Sequence, residues 1–362
     1  MSGVERARVE GALKEYIDPD LERDPVAAGC VRGIDINGGR VTVDLAYGFP
    51  LDAEREARGR AMREHLEALD GVERAEVGID WSVAPGAVQS QAQRIEGVAN
   101  IIAVASAKGG VGKSTTAANL ALALRAEGAR VGILDADIYG PSQPRMLGIE
   151  GRPSSPDGQN LVPMERHGLQ AMSIGFLVDP ESPMIWRGPM VTKALEQMLY
   201  NTRWRELDYL IVDLPPGTGD IQLTLVQKVP LSGAVIVTTP QDIALLDARK
   251  GLKMFEQVSV PVFGIVENMS MHICSQCGHV EPIFGEGGGA RMAEEHGVRL
   301  LGQLPLDLAI RTQADSGIPT VVADADSESA GIYRSLARRA AAAQALAGTL
   351  PSSFPEIRIV DD

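Results

Sequence analysis

Between residues 104 and 124 the chain runs VASAKGGVGKSTTAANLALAL: an apolar run, a glycine-rich turn and an alanine- and leucine-rich helical pattern in direct succession. A strand ending near Ser106 and a helix opening at Lys113 place the turn where backbone N–H groups and a helix N-terminus converge on an anion. Gly109, Gly110 and Gly112 allow the backbone to approach a phosphate closely, and Val111 and Thr115 complete the loop and the first helical turn. Lys113 is expected to reach the β- and γ-phosphates of ATP, and the Ser114 hydroxyl to ligate Mg²⁺. The strict G-x-x-x-x-G-K-[ST] pattern asks for glycine at 107, where this chain has Ala107. A methyl group is tolerated there only if Ala107 keeps φ below zero.

On either side of this loop, apolar runs alternate with helical stretches: ANIIAVAS, RVGILDAD, LQAMSIG, YLIVDLP, AVIVTTP, VFGIVENM and RLLGQLP. Near-continuous Val/Ile/Leu strands between helices predict a parallel sheet covered on both faces. The expected fold class is α/β, a doubly wound and mainly parallel P-loop NTPase sheet. In such sheets ligands bind at the carboxyl ends of the strands, where GILDADIYGPS puts Asp135 and Asp137 and YLIVDLPPGTGD puts Asp213. Asp213 is placed to hold a Mg²⁺-bound water, with PPGTGD beside it as a loop able to sense a γ-phosphate. Asp135 is expected to support Mg²⁺ or the loop, and Asn268 to bond a purine edge.

Residues 1–82 have a different pattern. A helical stretch (VERARVEGALKEYI) precedes two strands around Asn37-Gly38-Gly39, then an amphipathic helix and the strand VERAEVGIDW. This α-β-β-α-β order predicts a small α+β domain with a hairpin at the glycine pair. Residues 83–97 lack a period and serve as a linker, 98–347 form the P-loop domain ending in an alanine-rich helix, and 348–362 are an acidic tail.

Lys plus Arg total 34 against 48 Asp plus Glu, a formal net charge of −14. Such a surface disfavours nucleic-acid phosphates and anionic lipid. No apolar run has membrane-span length, and three cysteines with one C-x-x-C pair suit a reducing compartment, so a cytoplasmic protein without nucleic-acid or membrane partners is expected. Only 4% of residues are aromatic, so the core must come from Ala, Val, Ile and Leu. Cys30 is expected to be one small buried residue of it.

Lys108, five residues before Lys113, gives the loop a resemblance to the deviant Walker A ATPases of division-site placement, plasmid partition and arsenite transport. The resemblance implies a nucleotide-sandwich homodimer in which Lys108 touches the partner's nucleotide and Asp137 positions the attacking water. Cys274 and Cys277, in MHICSQCGHV, are half of a four-ligand site. In a two-fold dimer they become four thiolates, able to hold [4Fe–4S] or Zn²⁺. Two alternatives stay open: a single-chain zinc site from His272, Cys274, Cys277 and His279, and a metal-free dithiol.

Taken in order, DADIYGPS, WRGPMVTKAL, VDLPPGTGD, TTPQDIALLDARKG, VENMS, the C-x-x-C and FGEGGG make residues 98 to about 345 similar to the Mrp/ApbC-type P-loop ATPases. Residues 1–82 resemble the small Fe–S assembly domain often fused upstream. The resemblance implies an iron–sulfur cluster carrier that binds [4Fe–4S] between subunits, hydrolyses ATP slowly and passes the cluster to apo-Fe–S proteins. No cysteine follows AYGFP, where related assembly domains often carry one. A positioning ATPase that binds membrane or DNA predicts a basic C-terminal helix, and PSSFPEIRIVDD is acidic. A zinc-stabilised ATP-binding regulator is the third reading.

Overall fold

A computed structural model describes residues 4–88, 92–178, 188–274 and 276–348. Trp186 and Arg187 of the WRGP stretch, and the expected tail beyond Gly348, lie outside the described residues. At the N-terminus, helix α1 (Arg6–Glu15), strands β1 (Val31–Asn37) and β2 (Arg40–Tyr47), helix α2 (Arg55–Glu67) and strand β3 (Arg74–Trp81) follow the expected α-β-β-α-β order. The sheet runs β1-β2-β3, antiparallel in the first pair and parallel in the second. Asn37 pairs with Arg40 across Gly38-Gly39, and Gly38 takes φ 63°, a conformation that favours glycine. Alternation along β2 buries Val41, Val43, Leu45 and Tyr47 in one core with Val9 and Leu13 of α1 and Met62 and Leu66 of α2.

From Val98 the chain alternates strands and helices. Strand β4 (Val98–Ala105) leads into α3 (Lys113–Ala126), β5 (Val131–Asp135) and the short α4 (Gln143–Met146). Then come β6 (Met164–Arg166), β7 (Leu169–Ser173), α5 (Gly188–Tyr200), β8 (Leu207–Asp213), α6 (Asp220–Lys228), β9 (Gly233–Thr238), α7 (Asp242–Gln257) and β10 (Val262–Glu267). The last elements are β11 (His272–Ile273), β12 (Val280–Glu281), α8 (Gly288–Glu295), β13 (Leu300–Gln303), α9 (Leu308–Asp315), α10 (Thr320–Ala323) and α11 (Glu328–Ala347). The sheet order is β13-β10-β9-β4-β8-β5-β7-β6. Every pair is parallel except β6 with β7. All seven expected strands form.

The antiparallel edge pair β6/β7 departs from expectation. Edge strand β6 arises because His167 and Gly168 both take positive φ (50° and 74°) and turn the chain back onto β7. Cys274 and Cys277 lie in the connection between the short strands β11 and β12, with Cys274 N–H bonded to His279 O at 2.9 Å.

The two sheets are joined through buried ion pairs. Arg58 of α2 donates to Asp18 Oδ2 at 2.7 Å and also pairs with Asp20. Arg338 of α11 reaches Asp20 Oδ2 at 3.0 Å and Glu127 Oε1 at 2.5 Å. Glu127 caps the C-terminus of α3 and accepts from Ala53 N–H through its other oxygen at 3.1 Å. Cys30 is buried as expected, and burial pushes its thiol up to about 11.

Candidate nucleotide and thiol site

The glycine-rich turn leaves β4 at the carboxyl edge of the sheet, between β8 and β9. Its shape comes from Gly110 (φ 81°) and Gly112 (φ 83°), while Ala107 keeps a negative φ, so its methyl group costs no backbone strain. Asn268, just after β10, donates from Nδ2 to Val111 O at 2.9 Å, and a Cβ on Gly112 would run into that same Nδ2. In this structure Asn268 therefore holds the loop with one N–H, leaving its second N–H and its oxygen for a base edge. Gly112→Ala is expected to destabilise the nucleotide-free protein by about 1–3 kcal/mol, because φ strain and the Asn268 contact act together. Gly109 has nothing within 4 Å of an added Cβ, so Gly109→Ala is expected to be near neutral. Thermal denaturation of the two variants measures the difference.

Lys113 is 6% exposed and its ammonium contacts Asp213, with Ser114 Oγ 3.2 Å away. Asp213 and Asp135 are both fully buried at the ends of paired strands β8 and β5. Burial first, and the Asp213 charge second, push Asp135 up to about 7. The Asp135 oxygens accept from the N–H groups of Asp137 (3.2 Å), Ser142 (3.0 Å) and Gln143 (3.0 Å) and from Ser173 Oγ (3.0 Å). Asp135 thus shapes the loop that follows β5. Asp137 is half-buried on that loop, burial raises its pKa, and its Oδ1 accepts from Gly140 N–H at 3.3 Å.

Gln143, the first residue of α4, had no role in the sequence reading. Its Nε2 donates to Ser114 O (3.0 Å) and Asp213 Oδ2 (2.9 Å), tying α4 to the loop helix and to β8. Its Oε1 and the neighbouring Ser142 Oγ are buried without hydrogen-bond partners among the described residues. A hydroxyl (Ser114), buried carboxylates (Asp213, Asp135) and orphaned oxygens form a hard, oxygen-only set that suits Mg²⁺. The adjoining turn is fixed by Gly217 N–H bonding Ser106 O at 2.8 Å.

Lys108 is exposed at the rim. Six residues after Asn268 come the thiols: Cys274 is half-buried and Cys277 exposed. The N–H groups of Gln276 and Cys277, with the Cys277 thiol, lower the Cys274 pKa and favour its thiolate. His272 faces Leu306 O at 3.3 Å, and no cluster of three His, Cys, Asp or Glu side chains able to hold a metal occurs among the described residues. The single-chain set His272, Cys274, Cys277 and His279 is therefore not brought together. Ile273, next to Cys274, its strand partner Val280, and Ile283 are exposed.

A parallel sheet, a phosphate loop on its central strand, a loop lysine and serine, and a carboxylate ending the adjacent strand define a P-loop NTPase. The family described as NUBPL iron-transfer P-loop NTPase matches residues 97–341, and the iron–sulfur cluster assembly protein family matches residues 6–78. The chain belongs to the NUBPL iron-transfer P-loop NTPase family, with an iron–sulfur cluster assembly region ahead of it. The iron–sulfur cluster carrier protein of Escherichia coli K12 is 52% identical over 342 residues, covering 93% of this chain and 92% of its own. That of Pseudomonas fragi is 62% identical over 274 residues, 75% of this chain and 96% of its own. Among solved structures, a nucleotide-binding protein from Archaeoglobus fulgidus in complex with ADP superposes with TM-score 0.57 at 38% identity, covering 65% of this chain and 92% of that one. No helix among the described residues is long and apolar enough to cross a membrane.

Proposed function

We propose that this protein is an iron–sulfur cluster carrier that binds and hydrolyses MgATP at the P-loop, holds a [4Fe–4S] cargo between two copies through Cys274 and Cys277, and delivers it to apo-Fe–S proteins. The observation that carries the reading is the chain segment after β10. Asn268 grips the P-loop carbonyl of Val111, and six residues on the same segment presents two accessible thiols. One piece of backbone thus touches the nucleotide loop and bears the cargo ligands. The relatives named as carriers support the cargo, and the ADP-bound relative supports the nucleotide. Two thiols per chain satisfy a [4Fe–4S] cluster only in pairs, so the homodimer follows from ligand count. The exposed side chains of Ile273, Val280 and Ile283 give a second copy apolar surface to cover.

In this arrangement Lys113 and the N–H groups of residues 109–115 would hold the phosphates, Ser114 Mg²⁺ and Asp213 a water on it, while Asp137 orients water and Lys108 reaches the partner's nucleotide. Mg²⁺ supplies charge neutralisation on the phosphate oxygens. Anaerobic reconstitution with iron and sulfide tests the reading. About four iron and four sulfide per two chains, with a broad visible band, are expected for wild type. Cys277→Ala is expected to lose both while keeping ADP affinity and to fail in activating an apo-Fe–S acceptor. One zinc per chain without colour, or full cluster retention by the variant, overturns it.

A further inference from the structure

Ser142 and Gln143 present a pair of buried oxygens that the protein leaves unpaired. Gln143 is 1% exposed. Its Nε2 faces two acceptors, Ser114 O at 3.0 Å and Asp213 Oδ2 at 2.9 Å, so the amide can sit only one way round and Oε1 is fixed as the remaining atom. That Oε1 and the Ser142 Oγ have no hydrogen-bond partner among the described residues. The backbone N–H groups of the same two residues are spent on Asp135 Oδ2, each at 3.0 Å. Apart from their carbonyls, which accept from Met146 and Leu147 N–H within the turn of α4, Ser142 and Gln143 are bound to Ser114, Asp135 and Asp213. A buried orphan acceptor costs about 1–3 kcal/mol, and two on consecutive residues next to Ser114 and Asp213 call for donors that arrive with the ligand. Nucleotide-bound Mg²⁺ brings such donors, since it keeps several of its waters and polarises them.

We propose that Ser142 Oγ and Gln143 Oε1 accept hydrogen bonds from waters on the Mg²⁺ of the bound nucleotide. Gln143 also acts as a positioning residue by fixing the Asp213 carboxylate through Nε2. The inference rests on the reading that the P-loop binds a Mg²⁺-nucleotide. It adds to Ser114 and Asp213 further outer-shell partners contributed by the start of α4. Gln143 also ties this shell to the loop bearing Asp137, because α4 and that loop share the Asp135 anchor.

The test is calorimetric titration of ADP into the full-length protein, with saturating MgCl₂ and again with EDTA. The quantity read is the ratio of the two affinities, for wild type, Ser142→Ala and Gln143→Met. Loss of an outer-shell partner is expected to lower the Mg²⁺-dependent ratio about 10–100-fold in Gln143→Met, and by a smaller factor in Ser142→Ala. The Ser142 hydroxyl bonds no described residue, so Ser142→Ala is expected to keep or raise thermal stability of the nucleotide-free protein. If Gln143→Met does not fold, Ser142→Ala decides alone. A ratio within two-fold of wild type in the folded variants overturns the proposal while leaving nucleotide binding intact. A wild-type protein whose ADP affinity ignores Mg²⁺ refutes the Mg²⁺-nucleotide reading itself, and the outer shell with it.

Discussion

Lys113→Met is expected to lower the proposed ATP turnover about 10²–10³-fold, the cost of removing a preorganised charge from the transferring phosphoryl group. The same substitution has a second, separable consequence in the nucleotide-free protein. Lys113 is the cation that contacts Asp213, and it lowers the pKa of Asp135 against burial and the Asp213 charge. Without it, two fully buried carboxylates face each other uncompensated, and the pair holds a proton to higher pH. A carboxyl whose folded pKa lies above its unfolded value binds more protons folded than unfolded. Stability from that group is therefore greatest below about 4 and falls as pH rises. In wild type the fall is complete near the Asp135 value of about 7. In Lys113→Met it is expected to continue above 7. Melting temperatures of metal-free protein from pH 5 to 9 measure the window, and the proposed Mg²⁺-nucleotide is expected to narrow it in wild type by adding positive charge beside the carboxylates. Identical profiles for the two proteins would show that Lys113 does not compensate the pair.

The parts of this site that are local in sequence were legible in advance. Gly110 and Gly112 adopt positive φ because a strand must turn into a helix within a few residues, and that demand is written as glycine. Asp213 is visible because it ends an apolar run that can only be a buried strand. Gln143 is not visible, because its meaning is a meeting with Ser114, 29 residues away, and Asp213, 70 residues away. Asp135 was located correctly but its oxygens turned out to serve the following loop, a role set by where the chain returns after β5. Strand β6 escaped notice because three residues with one apolar side chain carry no period, although the His167-Gly168 pair signals the turn. The cysteines raise the same contrast. Spacing showed two ligands, while only the fold shows that His272 Nδ1 lies against Leu306 O.

The contact between the two sheets is the least legible feature, since Asp20 and Arg338 are separated by 318 residues. It yields the largest expected effect on stability. Arg338→Met is expected to destabilise the protein by about 3–5 kcal/mol, read as a fall in the denaturant midpoint. The side chain of Arg338 is 9% exposed and is shared by Asp20, Glu127 and, at 3.5 Å, Glu54. Methionine fills much of the volume but leaves Glu127, with no solvent exposure, holding only the Ala53 N–H. Burial already raises the Glu127 pKa and Arg338 opposes that rise, so its removal shifts the group further up. The destabilisation is then larger at pH 8 than at pH 5, where protonation of Glu127 relieves the buried charge. Glu127→Gln placed on top of Arg338→Met is expected to recover part of the loss, whereas alone it removes a favourable pair and costs stability. That sign reversal is a coupling between two residues in contact. It identifies the ion pair, rather than side-chain volume, as what joins the C-terminus of the P-loop helix to the N-terminal sheet, and additive effects of the two substitutions would refute it.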